Sequence, residues 1–204
     1  MQFNSQTHIP VMEHFYTLQG EGFYTGQAAY FIRLAGCDVS CVWCDVKESW
    51  PVSEKQLIPI ENLVGEIKKY PVKLVVITGG EPLMYDLSSL TTALKKENYQ
   101  VNIETSGAYS LSGTLDWICV SPKKFKAPLS EVLARADELK IIVYHKSDFE
   151  FGEKNRLQTT AGCKLFLQPE WSKSVEMLPL ILNYIKDHPD WNLSLQTHKY
   201  LGIP

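Results

Sequence analysis

Phe31-Ile32-Arg33-Leu34-Ala35-Gly36-Cys37-Asp38-Val39-Ser40-Cys41-Val42-Trp43-Cys44 runs a strand pattern directly into a cysteine-rich loop. Side chains of a strand alternate between faces, so Phe31, Arg33, Ala35 and Cys37 share one side and Ile32 and Leu34 the other. An aliphatic face packs a core; a face carrying arginine and cysteine suits a cavity wall. At the strand end, Cys37-x-x-x-Cys41-x-x-Cys44 is short enough to turn three sulfurs toward one centre. A [4Fe–4S] cluster held by three cysteines keeps one iron open for chemistry. Structural zinc takes four ligands and would have to recruit Cys119, Cys163 or a distant histidine. A thioredoxin-like pair Cys41-x-x-Cys44 leaves Cys37 without a task. The open cluster uses all three thiols, with zinc and redox chemistry as the alternatives.

Outward from this loop, apolar runs at 29–35, 73–78, 101–104, 117–121, 139–143, 165–168 and 192–196 alternate with helical patterns at 60–69, 87–96, 129–136 and 175–186. A weaker helix starts at Ser147, where Ser147 and Glu150 have capping-box spacing. Strand followed by helix, repeated, predicts a largely parallel sheet. The strand tips are polar or glycine-bearing: Gly36-Cys37-Asp38, Thr78-Gly79-Gly80-Glu81-Pro82, Glu104-Thr105-Ser106-Gly107, Ser121-Pro122-Lys123, Gln168-Pro169 and Gln196-Thr197-His198. A doubly wound sheet gathers ligand groups at one switch point, whereas a barrel uses the carboxyl end of every strand. The pattern therefore predicts an α/β fold, an incomplete (β/α) barrel of about six parallel strands, as one domain over 1–204. Alternation also places Asn102 with Glu104, Glu138 with Lys140, and Ser194 with Gln196 and His198 opposite apolar residues, as in a cavity that holds a polar ligand.

Composition is that of a globular protein, with 45% hydrophobic residues and a formal net charge of -3. That charge gives no global attraction to nucleic acid or to an anionic membrane. No apolar run reaches the length of a membrane span, and the polar stretch 1–14 lacks the features of a signal peptide, which predicts a cytoplasmic protein. Five cysteines in a reducing compartment argue against a disulfide framework, and Cys119 and Cys163 read as packing residues. Lys123, Lys124 and Lys126 read as a solvated loop.

The cysteine spacing at the end of the first barrel strand, with Trp43 before the last cysteine, resembles the signature of the radical S-adenosylmethionine (SAM) enzymes. Thr78-Gly79-Gly80-Glu81-Pro82 is similar to their GGEP motif, which contacts the methionine amino group. The resemblance implies that SAM chelates the open iron and that one electron releases a 5′-deoxyadenosyl radical. It also implies a one-electron donor such as flavodoxin or ferredoxin. Gly79 and Gly80 are expected to admit the cofactor where a Cβ would clash.

Further motifs narrow the resemblance to the 7-carboxy-7-deazaguanine synthases. They are Phe15-Tyr16-Thr17-Leu18-Gln19-Gly20-Glu21-Gly22, Glu104-Thr105-Ser106-Gly107, Ser121-Pro122-Lys123, Leu167-Gln168-Pro169 and the tail from Gln196 to Pro204. That family contracts the ring of a pterin, 6-carboxy-5,6,7,8-tetrahydropterin, with loss of ammonia, on the way to queuosine, and its members are commonly homodimers. The resemblance assigns Trp43, Asp45, Gly79, Gly80, Ser121, Pro122, Lys123 and Gln168 to SAM. It assigns Leu18, Gln19, Gly20, Glu21, Arg33, Thr78, His198 and the carboxylate of Pro204 to the substrate. Arg33 suits the substrate carboxylate because its planar fork donates two parallel hydrogen bonds. In one place the chain departs from the family. Cys44-Asp45-Val46 stands where Cys-Asp-Thr is usual, so the hydroxyl that helps hold Mg²⁺ is missing and a side-chain ligand to that ion is in doubt. Competing readings are a small radical SAM activase that places a glycyl radical on a partner protein, and a non-catalytic metal-binding adaptor.

Overall fold

The computed structural model describes residues 4–204. A nine-stranded sheet forms its centre, built from β1 (His8–Leu18), β2 (Ala28–Leu34), β3 (Leu57–Pro59), β4 (Leu74–Gly79), β5 (Gln100–Thr105), β6 (Trp117–Val120), β7 (Glu138–Val143), β8 (Lys164–Pro169) and β9 (Trp191–Leu193). Their order is β3-β1-β2-β4-β5-β6-β7-β8-β9. From β2 to β9 every neighbour pair is parallel; β1 pairs antiparallel with β2 and β3. The sheet does not close, because β3 and β9 remain as edges.

The helices are α1 (Ile60–Ile67), α2 (Ser88–Lys96), α3 (Ser130–Leu133), α4 (Ser147–Arg156), α5 (Ser174–Asp187) and α6 (Thr197–Leu201). The two strand faces separate as alternation requires. Ile32, Leu34, Val75 and Ile77 join the main core together with Leu63 and Ile67 of α1 and Leu90 and Leu94 of α2. Phe31 and Val76 turn the other way, into a small cluster with Ala29, Leu74, Phe15 and Tyr24. Arg33 follows Phe31 on that inner side and reaches the cavity.

The incomplete barrel of about six parallel strands is borne out by the parallel run of β2 and β4 to β9. Two expectations need correction, and one antiparallel strand, β1, was not legible. Pro10, the charged and polar residues around it, and a register shift between Val11 and Glu13 break its alternation. Long pairing with β2 makes the segment a strand all the same. The capping box at Ser147 does not form; instead the Asp148 carboxylate accepts hydrogen bonds from the backbone N–H groups of Tyr144 and His145 at 2.8 and 2.7 Å. The run at 192–196 is strand only over Trp191–Leu193, and the chain then turns into α6. Cys119 and Cys163 are buried, as packing residues should be.

Candidate active site

A cavity of about 380 Å³ opens at the carboxyl ends of the parallel strands. The loop after β2 supplies its first wall. Gly36 bends the chain with φ of 101°, and Ser40, at φ of 57°, takes the left-handed conformation that a non-glycine residue seldom adopts. The backbone N–H groups of Gly36 and Cys37 donate to Ser49 and Trp50, folding the loop back on itself. Cys37, Cys41 and Cys44 all line the cavity. Burial pushes the Cys41 thiol up to about 11 and raises that of Cys37, so metal binding has to displace protons from both. Among the described residues, no set of three or more His, Cys, Asp and Glu side chains gathers tightly enough for a single metal ion. Three thiols lining one cavity match the three-cysteine set that would hold a cluster with one iron open.

The turn after β4 packs directly on that loop. The N–H of Gly80 donates to the carbonyl of Leu34 at 3.0 Å, and that of Glu81 to Gly36 at 2.8 Å. A Cβ on Gly79 would lie 2.3 Å from the Leu34 carbonyl oxygen; one on Gly80 would lie 2.2 Å from that of Gly36 and 2.9 Å from Cys37 Cβ. These glycines therefore also serve close approach to the cysteine strand, beside the room for a cofactor expected of them. Glu81, 1% exposed, turns away from the cavity and accepts from Leu83 N–H, Thr105 Oγ1 and the N–H and hydroxyl of Ser106. It clips the β4 turn to the end of β5.

Every residue assigned above to SAM or substrate lines the cavity except Pro122, which is buried behind it and shapes the turn after β6. Lys123 is not a solvated residue. Its ammonium lies 5.3 Å from the centre of the Trp43 ring and donates to Ser121 Oγ at 2.6 Å, and burial lowers its pKa. Lys124 and Lys126 are likewise engaged, with Asp148 and Asp38. Arg33 donates through Nε to Glu13 at 2.6 Å. Gln168 accepts from Ser194 at 2.6 Å. Val46 stands in the wall, and its carbonyl accepts from Ser49 N–H and Oγ.

The C-terminal segment meets the end of β1 and the loop after it at the far wall. Thr197 donates twice to the carbonyl of Gly20, and Thr17 Oγ1 donates to Pro204 O at 3.2 Å. Burial holds the His198 pKa below its ordinary value, and a Cβ on Gly20 would come within 2.4 Å of its Nδ1.

Sequence reasoning marked several cavity-facing polar residues without giving them roles. Of these, Glu104, Lys140 and Gln196 do line the cavity, whereas Asn102 and Glu138 do not. Glu138 accepts from Trp117 Nε1 and Phe23 N–H, anchoring the loop that carries Glu21. Asn102 accepts from Gln100.

The radical SAM superfamily model matches residues 31–118. The chain is 54% identical to the 7-carboxy-7-deazaguanine synthase of Flavobacterium psychrophilum, over 96% of this chain and 93% of that protein. It is 46% identical to the enzyme of that name from Synechocystis, over 95% of this chain and 93% of the other. The crystal structure of QueE from Escherichia coli superposes with a TM-score of 0.84 at 34% identity, covering 92% of this chain and 93% of that one.

Proposed function

Because the chain belongs to the 7-carboxy-7-deazaguanine synthase family of the radical SAM superfamily, we propose that it contracts the ring of 6-carboxy-5,6,7,8-tetrahydropterin to 7-carboxy-7-deazaguanine with loss of ammonia, a step toward queuosine. The observation that carries this reading is that one chamber holds both the three-cysteine loop and a set of groups complementary to a carboxylated pterin. A bound [4Fe–4S] cluster and SAM supply the hydrogen-abstracting radical; this chain's residues bind, orient and shield. Cys37, Cys41 and Cys44 hold the cluster. Trp43, Asp45, Gly79, Gly80, Ser121, Lys123 and Gln168 form the SAM side. Leu18, Gln19, Gly20, Glu21, Arg33, Thr78, His198 and Pro204 form the substrate side. The test is anaerobic incubation of the cluster-loaded protein with SAM, a reductant and the pterin, followed by mass spectrometry. Formation of the deazapurine supports the reading; intact pterin beside cleaved SAM overturns it.

Arg33 takes the substrate carboxylate, with Glu13 holding the Nε edge and the two terminal amino groups left to form the fork. Arg33→Lys keeps the charge but loses the fork and the Glu13 contact geometry. It raises the KM for the pterin by an amount equivalent to about 1.5–3 kcal/mol while SAM affinity holds. An unchanged KM removes Arg33 from the site.

At position 46 the chain does not fit the family's Mg²⁺ site: valine offers no oxygen, and its carbonyl is committed to Ser49. No step is assigned to the ion. Turnover after chelation retains most of its rate, and Val46→Thr gains Mg²⁺ dependence. A strong Mg²⁺ requirement in the unmodified protein, no greater in Val46→Thr, contradicts this.

No helix among the described residues is long and apolar enough to cross a membrane. Five free cysteines and an oxygen-sensitive cluster suit a reducing cytoplasm, with electrons from a flavodoxin- or ferredoxin-like donor and the homodimeric assembly common in the family.

A further inference from the structure

At the cavity floor, Lys140 is 3% exposed and stands between two carboxylates, 2.6 Å from Glu21 Oε2 and 3.6 Å from Glu104 Oε2. The opposite oxygens are held as well. Gln196 Nε2 donates to Glu21 Oε1 at 3.0 Å, and Gln19 Nε2 donates to Glu104 Oε1 at 2.9 Å. Each carboxylate is thus pinned at both oxygens, one to the shared ammonium and one to an amide, and each oxygen keeps accepting capacity toward the cavity. These residues come from the loop after β1, from β5, from β7 and from the segment before α6, so their meeting is a property of the folded barrel.

We propose that Lys140 is a positioning residue that holds Glu21 and Glu104 at a set separation as the acceptor pair for the 2-amino-4-oxopyrimidine edge of the substrate. This rests on the pterin reading above. That edge presents a ring N–H beside an exocyclic amino group, two donors that a carboxylate accepts side by side. Lys140 places one cation between two carboxylates that would otherwise repel each other across the cavity floor. Burial opposes charge on both partners, yet the Lys140 ammonium holds Glu21 well below the usual carboxylate range, and the two carboxylates hold Lys140 well above the usual lysine range.

The test measures dissociation constants of the pterin and of SAM separately, on cluster-loaded unmodified protein, Lys140→Met and Lys140→Arg. The expected result for Lys140→Met is pterin affinity lower by about tenfold to a hundredfold, the loss of a charge-assisted contact, with SAM affinity within about threefold. Lys140→Arg keeps the cation but not its place between the carboxylates, and shows the same split to a smaller degree. Equal weakening for both ligands makes Lys140 a structural residue and overturns the proposal, as does unchanged pterin affinity in either variant that loads its cluster. Loss of the cluster in both variants also assigns it a structural role and overturns the proposal. Failure of the unmodified protein to bind the pterin would instead overturn the functional reading itself.

Discussion

Replacing Cys37, Cys41 or Cys44 with alanine abolishes SAM cleavage, whereas Cys119→Ser and Cys163→Ser keep their iron. Three thiolates are the minimum set that leaves one iron open, so no member of the loop is dispensable. The other two cysteines lie elsewhere. Cys163 belongs to the main core behind the sheet, and Cys119 sits on β6, where full burial pushes its thiol well above the ordinary range. Neither lines the cavity. Iron content, the visible absorbance of the reconstituted protein and the yield of 5′-deoxyadenosine read the outcome together. Loss of the cluster in Cys119→Ser or Cys163→Ser, as complete as in the loop variants, would sink the open-iron assignment.

Gly80→Ala is the second large effect, and it acts on the cysteine loop as well as on the SAM side that Gly80 helps to form. Its Cβ would sit 2.2 Å from the backbone oxygen of Gly36, which has no rotamer to escape into, and 2.9 Å from Cys37 Cβ. Overpacking of this kind costs about 1–3 kcal/mol, and here the backbone that yields is the one carrying the first cysteine. The expected result is a folded protein that loads less iron and binds SAM weakly, with its melting temperature lowered by a few degrees. A control substitution at Gly162, where a Cβ meets nothing within 4 Å, leaves both unchanged. Wild-type iron content and SAM affinity in Gly80→Ala would show that the β4 turn does not set the geometry of the cysteine loop.

Strand alternation from Phe31 to Cys37, the cysteine spacing, the paired glycines and the strand–helix rhythm were determined by the sequence alone, because each depends on neighbours only a few residues away. Period-two burial and a loop short enough to gather three sulfurs are local facts of chain geometry. What stayed hidden was long-range. β1 carries a broken pattern and becomes a strand only through its pairing with β2 and β3. Lys123 reads as a surface charge until the barrel folds Trp43 beneath its ammonium. The polar faces of β5 and β7 announced a wet interior, but not that Glu104 and Lys140 would reach the cavity while Asn102 and Glu138 lay outside it. Glu21 and Lys140 stand 119 positions apart in sequence, and Thr17 meets Pro204 across 187. Such contacts follow from strand order and register, which align residues that no local periodicity relates. The cluster site was therefore written within one loop, while the substrate floor exists only where the strands of the barrel converge.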